Sequence, residues 1–151
     1  MKNQFLKGFL ALTVLVLTAC NSIKTAIYDQ YSYQQEIALK VETNNLLNHA
    51  TEPYTDYKEE VEKLLLEMEK MEEYERNKPN NSISYKMWEL MTDEERNSVA
   101  GLFKMWKEKG QLSAVFLEES KLQVSQAFDA LIKYEVSKDK EKENLLLEIL
   151  K

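Results

Sequence analysis

The chain has 151 residues, 44% of them hydrophobic and 30% charged, with only three glycines and two prolines. That balance excludes collagen-like, low-complexity and disulfide-stapled classes and favours a helix-rich globular chain. The formal charge of −6 becomes −8 once Lys2 and Lys7 leave with the leader described next, the wrong sign for neutralising phosphates, so no nucleic-acid partner is expected.

Residues 1–20 read MKNQFLKGFLALTVLVLTAC: Lys2 and Lys7 precede an apolar stretch from Gly8 to Leu17, and small residues close it. This is the layout of a secretory signal peptide. The stretch is too short to be a permanent span, since a helix needs about 20 residues to cross a hydrocarbon core roughly 30 Å thick. Its ending, Leu17, Thr18, Ala19 and Cys20, resembles the lipobox of bacterial lipoproteins, in which small residues precede the cysteine that becomes the mature N-terminus. An ordinary leader that happens to contain a cysteine is the alternative.

The resemblance covers only these first positions. It implies removal of residues 1–19, a diacylglycerol on the Cys20 sulfur, acylation of the amine (palmitate is a typical chain), and a lipid-anchored protein of the bacterial cell envelope. Asn21 stands where the aspartate of the inner-membrane retention signal would be, which favours the outer membrane in a cell with two membranes. Cys20 is the only cysteine, so no internal disulfide can form in the mature chain. Each buried acyl CH₂ contributes about 0.8 kcal/mol, and two chains give stable attachment. No cofactor other than this covalent lipid is expected, and no metal site.

Without its first 19 residues the chain keeps 132, enough for one domain. We read residues 20–25 as anchor and spacer, 26–136 as the folded domain and 137–151 as a tail. Turn signals fall at Thr51 to Pro53, Asn77 to Ser82 and Gly110, and no run of alternating β-branched residues suggests a strand. The fold class is therefore all-α, a small helical bundle of about four main helices, with no repeat of fixed period.

Taken in order, the first segment (about residues 25–50) carries Ile23, Ile27, Tyr31, Ala38 and Val41 as its apolar stripe, interrupted by Gln34 and Asn45. The second, from Asp56 to about Arg76, is a clear seam: Tyr57, Val61, Leu64, Met68 and Met71 step by four and three. Asp56 with Glu59 is spaced as a capping pair, and Glu59 to Lys63 and Glu72 to Arg76 as ion pairs. Ser84 to Met91 reads as a short helix. Another begins at Thr92 with Glu95 in capping-box spacing, buries Val99, Leu102, Phe103 and Trp106, and ends at Gly110. The last, about residues 113–136, should fold back on the Trp106 helix as an antiparallel hairpin because the connection is short. In the tail, a charged run from Lys138 to Glu143 precedes apolar Leu145 to Leu150, which fits a helical extension, a docking segment or a frayed end.

Candidate chemistry is sparse. His49, the only histidine, lies at the end of the first helix, where it is expected to meet terminal carbonyls rather than serve a catalytic triad. One histidine also cannot supply the two Glu-x-x-His pairs of a di-iron bundle. The 26 acids nominate no catalytic pair, no segment has a calcium-loop pattern, and no glycine-rich phosphate loop is present. No catalytic residue is assigned.

Trp88 and Trp106 with Met87, Met91 and Met105 are either core or the lining of a groove for a partner helix or a lipid tail. Tyr28, Tyr31 and Tyr33 follow the anchor closely, and lie either at the headgroups or, for Tyr31, against the bundle. The function that fits is a membrane-anchored, non-catalytic structural or interaction module with a protein partner in the envelope. The alternative is a carrier or sensor of a lipid or apolar ligand held between helices, with a carboxylate-based enzyme as a third reading.

Overall fold

The computed structural model describes residues 26–138, and these form helices and connections with no strand among them. There are five α-helices: α1 (Gln30–Leu47), α2 (Lys58–Asn77), α3 (Ser82–Thr92), α4 (Val99–Lys109) and α5 (Ala114–Ser137). A 3₁₀ turn, Tyr54–Asp56, precedes α2. No described helix is long and apolar enough to cross a membrane.

Side-chain pairs set the topology. The Tyr31 ring packs at a tilt against Tyr74, 4.8 Å between centroids, and His49 stacks on Tyr57, so α1 and α2 are antiparallel. Asp29 reaches Glu135, Lys40 reaches Asp129 and Asn48 reaches Lys121, so α5 runs antiparallel along the other side of α1. Arg76 lies over Tyr85 and Glu72 meets Thr92, which places α3 against α2, and the Trp88 and Phe128 rings close the circle between α3 and α5. Helices α1, α2, α3 and α5 thus form an up-down-up-down four-helix bundle. Ala26 and Lys138 both lie at one end of it, the terminal end, where the Ala26 amide donates to Asn80 O and Lys138 Nζ to Asn81 Oδ1.

The fifth helix corrects the expected hairpin: α4 packs on α3 and on the 3₁₀ turn, not along α5. Backbone bonds explain this. The Tyr54 amide donates to Gly110 O and the Leu112 amide to Ala50 O, tying the α4–α5 connector to the α1–α2 connector. Trp106 follows, fully buried, with its Nε1 donating to Glu52 O at 3.0 Å and its ring edge-on to Tyr54. So α4 closes the distal end of the bundle. Its start is also later than expected, at Ser98 rather than Thr92. Thr92 Oγ1 donates to Trp88 O within α3, while Ser98 Oγ accepts from the Gly101 amide as the cap. Likewise α2 starts after Tyr57 without a side-chain cap, so Asp56 and Glu59 do not form the expected pair.

The largest correction concerns α1. Ile27, in the segment leading into the helix, and Tyr31, Ala38 and Val41 on it are exposed, and the inward face is Ser32, Glu36, Leu39, Thr43 and Leu46. The apolar stripe is solvent-facing and a half-polar one is buried. Residues 1–25 and 139–151, with the lipobox residues Leu17, Thr18, Ala19 and Cys20 and the apolar tail, lie outside the described residues.

Gly110 has φ of 75°, as a left-handed helix stop requires. Gly101 serves a different need, because a Cβ there would stand 2.0 Å from the backbone oxygen of Arg96. Gly101→Ala should therefore force the 93–98 loop off α4 and cost about 1–3 kcal/mol, the usual range for overpacking. Chemical denaturation of the two proteins side by side measures this, and an unchanged midpoint would contradict the close approach.

Candidate functional site

Two features of the bundle have the makings of a site. The first is a groove of about 410 Å³ at the distal half, opened because α4 turns away from α5. Met87, Leu90 and Met91 of α3, Val99 and Leu102 of α4, and Val124, Ala127 and Ala130 of α5 line it, and Arg96, Asn97 and Gln123 edge it. Its size falls within the ~300–1,000 Å³ typical of small-molecule sites. Flexible methionines on two successive turns give it an adaptable wall.

The groove takes two of the five residues singled out in the Trp and Met cluster, Met87 and Met91. Trp88 and Trp106 are both fully buried and do not line it: Trp88 packs edge-on to Phe128, and Trp106 packs among Tyr54, Tyr57 and Phe103. Met105 packs on the core from α4. The signal that pointed to these residues, a high local density of Trp and Met, does not distinguish successive faces of a helix. Met87 and Met91 are one turn apart on α3, whereas Trp88 is rotated toward α5.

The second feature had no nomination from sequence. At the terminal end Glu36, Glu75 and Glu135, from α1, α2 and α5, are all fully buried. Glu75 accepts from Ser32 Oγ, Asn81 Nδ2 and, at 3.2 Å, Lys78 Nζ. Glu135 Oε1 accepts from the Asp29 amide at 2.6 Å, and its Oε2 lies 2.5 Å from Lys138 Nζ. Lys78 also reaches Ser32 Oγ at 2.8 Å and Asp29 Oδ2 at 3.2 Å, and Lys138 reaches Ser84 Oγ at 3.2 Å. Neither oxygen of Glu36 has a hydrogen-bond partner among the described residues.

The two lysines are thus matched to Glu75 and Glu135, leaving no cation for Glu36. Burial, and then the neighbouring charges of Glu135 and Glu75, push the Glu36 carboxyl up to about 9, against the opposing pull of Lys138 and Lys78. Glu36 is therefore a neutral acid at pH 7. Asp29 behaves oppositely: partial burial would raise it, but hydrogen bonds from Tyr74 and Lys78 and the Tyr31 amide outweigh burial and hold it at about 2. The same Tyr74 bond pushes the phenol up to about 12. No group of three or more metal-ligating side chains able to hold an ion is found among the described residues.

The remaining candidates sit at the surface. His49 meets side chains instead of helix carbonyls, its Nδ1 lying 2.9 Å from both Glu52 Oε1 and the Tyr57 hydroxyl. The hydroxyl also donates to Glu52 Oε2 at 2.6 Å, which pushes the Tyr57 phenol up to about 12. Tyr28 and Tyr31 are about half exposed, at 48% and 49%, and the Tyr33 ring lies 6.1 Å from that of Tyr28. All three are at the terminal end, the end from which the chain continues toward Cys20.

Comparison with known proteins finds no family model, no curated protein and no solved structure that matches the chain.

Because the folded state holds a proton on Glu36 that the unfolded chain releases near 4.5, the contribution of this group to stability is full below about 4.5 and is lost as pH rises toward 9. Glu36→Gln supplies the neutral isostere permanently. We expect it to flatten that alkaline decline and to stabilise the protein at pH 7 by something on the order of 3 kcal/mol. Thermal unfolding of both proteins between pH 5 and 9 tests this, and a variant that is less stable at every pH would contradict the neutral-acid assignment.

Proposed function

We propose that the chain is a lipid-anchored protein of a bacterial cell envelope that acts as a non-catalytic binding module, with the distal groove between α3, α4 and α5 as the place where an apolar ligand is held. The observation that carries this reading is the groove itself, an apolar trough walled by Met87, Met91, Leu102 and Val124 with polar edges at Arg96 and Gln123. An occupant would gain roughly 25 cal/mol for each Å² of apolar surface it removes from water there. The non-catalytic part is supported by where the acids converge. Glu36, Glu75 and Glu135 are all closed from solvent inside the bundle, so a substrate has no route to them.

The anchor part rests on the cationic start, apolar middle and lipobox-like end of residues 1–20. Attachment at Cys20 would bring the tyrosine-bearing end of the bundle toward the headgroups. The reading of the groove as a seat for an apolar segment of an envelope partner uses the same walls, and fixing the module to a surface would make that encounter effectively intramolecular.

Two measurements check these parts separately. Cells grown with radiolabelled palmitate should label the wild-type chain and not Cys20→Ala, which should leave the membrane fraction. No label in the wild type ends the lipoprotein reading. A fluorescent fatty-acid analogue should bind saturably, and Ala127→Trp, which fills the groove from α5, should weaken it by about tenfold or more. Saturable binding that survives the filled groove would move the site elsewhere, and no saturable binding by the wild type would leave the partner-segment reading in its place.

A further inference from the structure

The outward face of α1 has a use that neither the groove nor the buried carboxyls explain. Tyr31, Gln34, Ala38, Val41 and Asn45 of α1 follow one another by three, four, three and four residues, with Ile27 four before them in the segment that leads into the helix, and every one of them is exposed, Ile27 by 85% and Val41 by 62%. At about 100° per residue the five helical positions fall within one narrow sector, opposite the sector that carries Ser32, Glu36, Leu39, Thr43 and Leu46 into the bundle. Helix α1 therefore has one complete seam for its own bundle and a second one facing out, whose first residue, Tyr31, leans on Tyr74 of α2 while Gln34, Ala38, Val41 and Asn45 are exposed beyond it.

We propose that this second seam is the contact between two copies of the chain, packed with their α1 helices side by side and parallel. The spacing is the a/d repeat of a two-stranded coil, which leaves the b, c and f positions for the bundle interior. Read in that register, Asn45 is a polar residue at an a position, the placement that fixes register and selects two strands. The flanking e and g positions hold Gln30, Gln35, Ile37, Glu42 and Asn44, so parallel packing brings Gln30 opposite Gln35 and Ile37 opposite Glu42 of the other copy and sets no like charges against each other.

Charge chooses this occupant over a lipid surface. A helix lying in a membrane interface carries Lys or Arg along its flanks. The only basic residue of α1 is Lys40, already committed to Asp129 at 2.6 Å. Glu42 is the one uncompensated charge of the outward face, in a chain of which 30% is charged, and depletion of charge with retention of Tyr marks surfaces that meet protein. The parallel sense alone rests on the lipid-anchor reading: both copies would enter one membrane from the same end, the end at which Ala26 lies, so their α1 helices must point the same way. The contact itself needs no anchor.

The test uses the full-length chain in intact cells, with single cysteines placed along the seam. In a parallel pair each seam residue faces its own counterpart, so Gln34→Cys, Ala38→Cys and Asn45→Cys should all form disulfide-linked dimers under mild oxidation, roughly tenfold more than Leu66→Cys on α2 or Leu122→Cys on α5. An antiparallel pair would link only near its centre, because seven residues of offset separate the two copies of Asn45 by about 20 Å. Dimers at Ala38→Cys alone would therefore overturn the parallel arrangement.

No dimer at any seam position would overturn the proposal as a whole, whether the thiols react with a soluble maleimide or are shielded by something else. As a second measurement, the exposed pair Ala38→Glu and Val41→Glu in one chain should leave helicity unchanged and raise the dimer dissociation constant by about a hundredfold, read by analytical ultracentrifugation in detergent. The chain without added cysteine separates the two readings. If it crosslinks through Cys20, the lipid anchor fails, and the seam stands or falls on the same variants repeated in the Cys20→Ala background.

Discussion

A carboxyl group taken out of water must be paired, hydrogen-bonded or protonated, and the terminal end of this bundle meets that demand three times within one cluster. Glu75 and Glu135 each take a lysine from three residues further along their own chain, Lys78 and Lys138, and each of these lysines bridges to a residue on a different element. Glu36 keeps its proton. Because Ser32, Ser84, Asn81 and Asp29 bond to these lysines and to Glu75 and Glu135, the cluster joins α1, α2, α3 and α5 and both ends of the described residues in one network. Removing one member leaves another charge buried without a partner, so such a cluster specifies a single arrangement even where apolar residues would bind as strongly.

This choice has consequences for the rest of the fold. Since α1 gives its inward face to Ser32, Glu36 and Thr43 as well as to leucines, the apolar burial must come from the other helices and from the distal end. There Trp106, Phe103, Tyr54 and Leu112 collect around α4 and the 3₁₀ turn. The pull of that aromatic nest turns α4 away from α5, and the space left between them is the groove. The groove is thus a by-product of how the distal end is closed, and its walls belong to three helices fixed by other contacts.

How much of this was legible follows from what helical periodicity measures. The seam of α2 and the apolar side of α5 stand out because their buried positions are apolar, and both run on by one more step into a glutamate, Glu75 four after Met71 and Glu135 four after Leu131. That continuation was the available signal for the carboxyl cluster, together with Lys at i+3 in each case. On α1 the same reasoning selects the wrong side, because Ile27, Tyr31, Ala38 and Val41 are the more apolar stripe and yet face out. A periodicity reading assumes that the most apolar face is the one buried within the chain, and it fails on a helix that buries Ser32, Glu36 and Thr43 instead. The hairpin of α4 and α5 was misread for a related reason. Loop length limits where a helix can go, but the bonds of Tyr54 and Leu112 to the opposite connector decided where it went.

The two ends of the bundle divide its tasks by chemistry. Both described chain ends leave from the polar end, so an anchor at Cys20 would hold that end near the membrane, while Val124 in the groove wall lies 14 residues before Lys138, about 20 Å further along α5. A groove held at that height would stand clear of the headgroups, and a ligand coming from the membrane would have to leave the bilayer to reach it. The outward seam of α1 runs most of that distance too, so a parallel pair would stand as two grooves on one stem, their openings on α3 and α5 left free because α1 takes no part in lining them. The same helix that keeps a proton inside the bundle would thus set the spacing between two binding sites outside it.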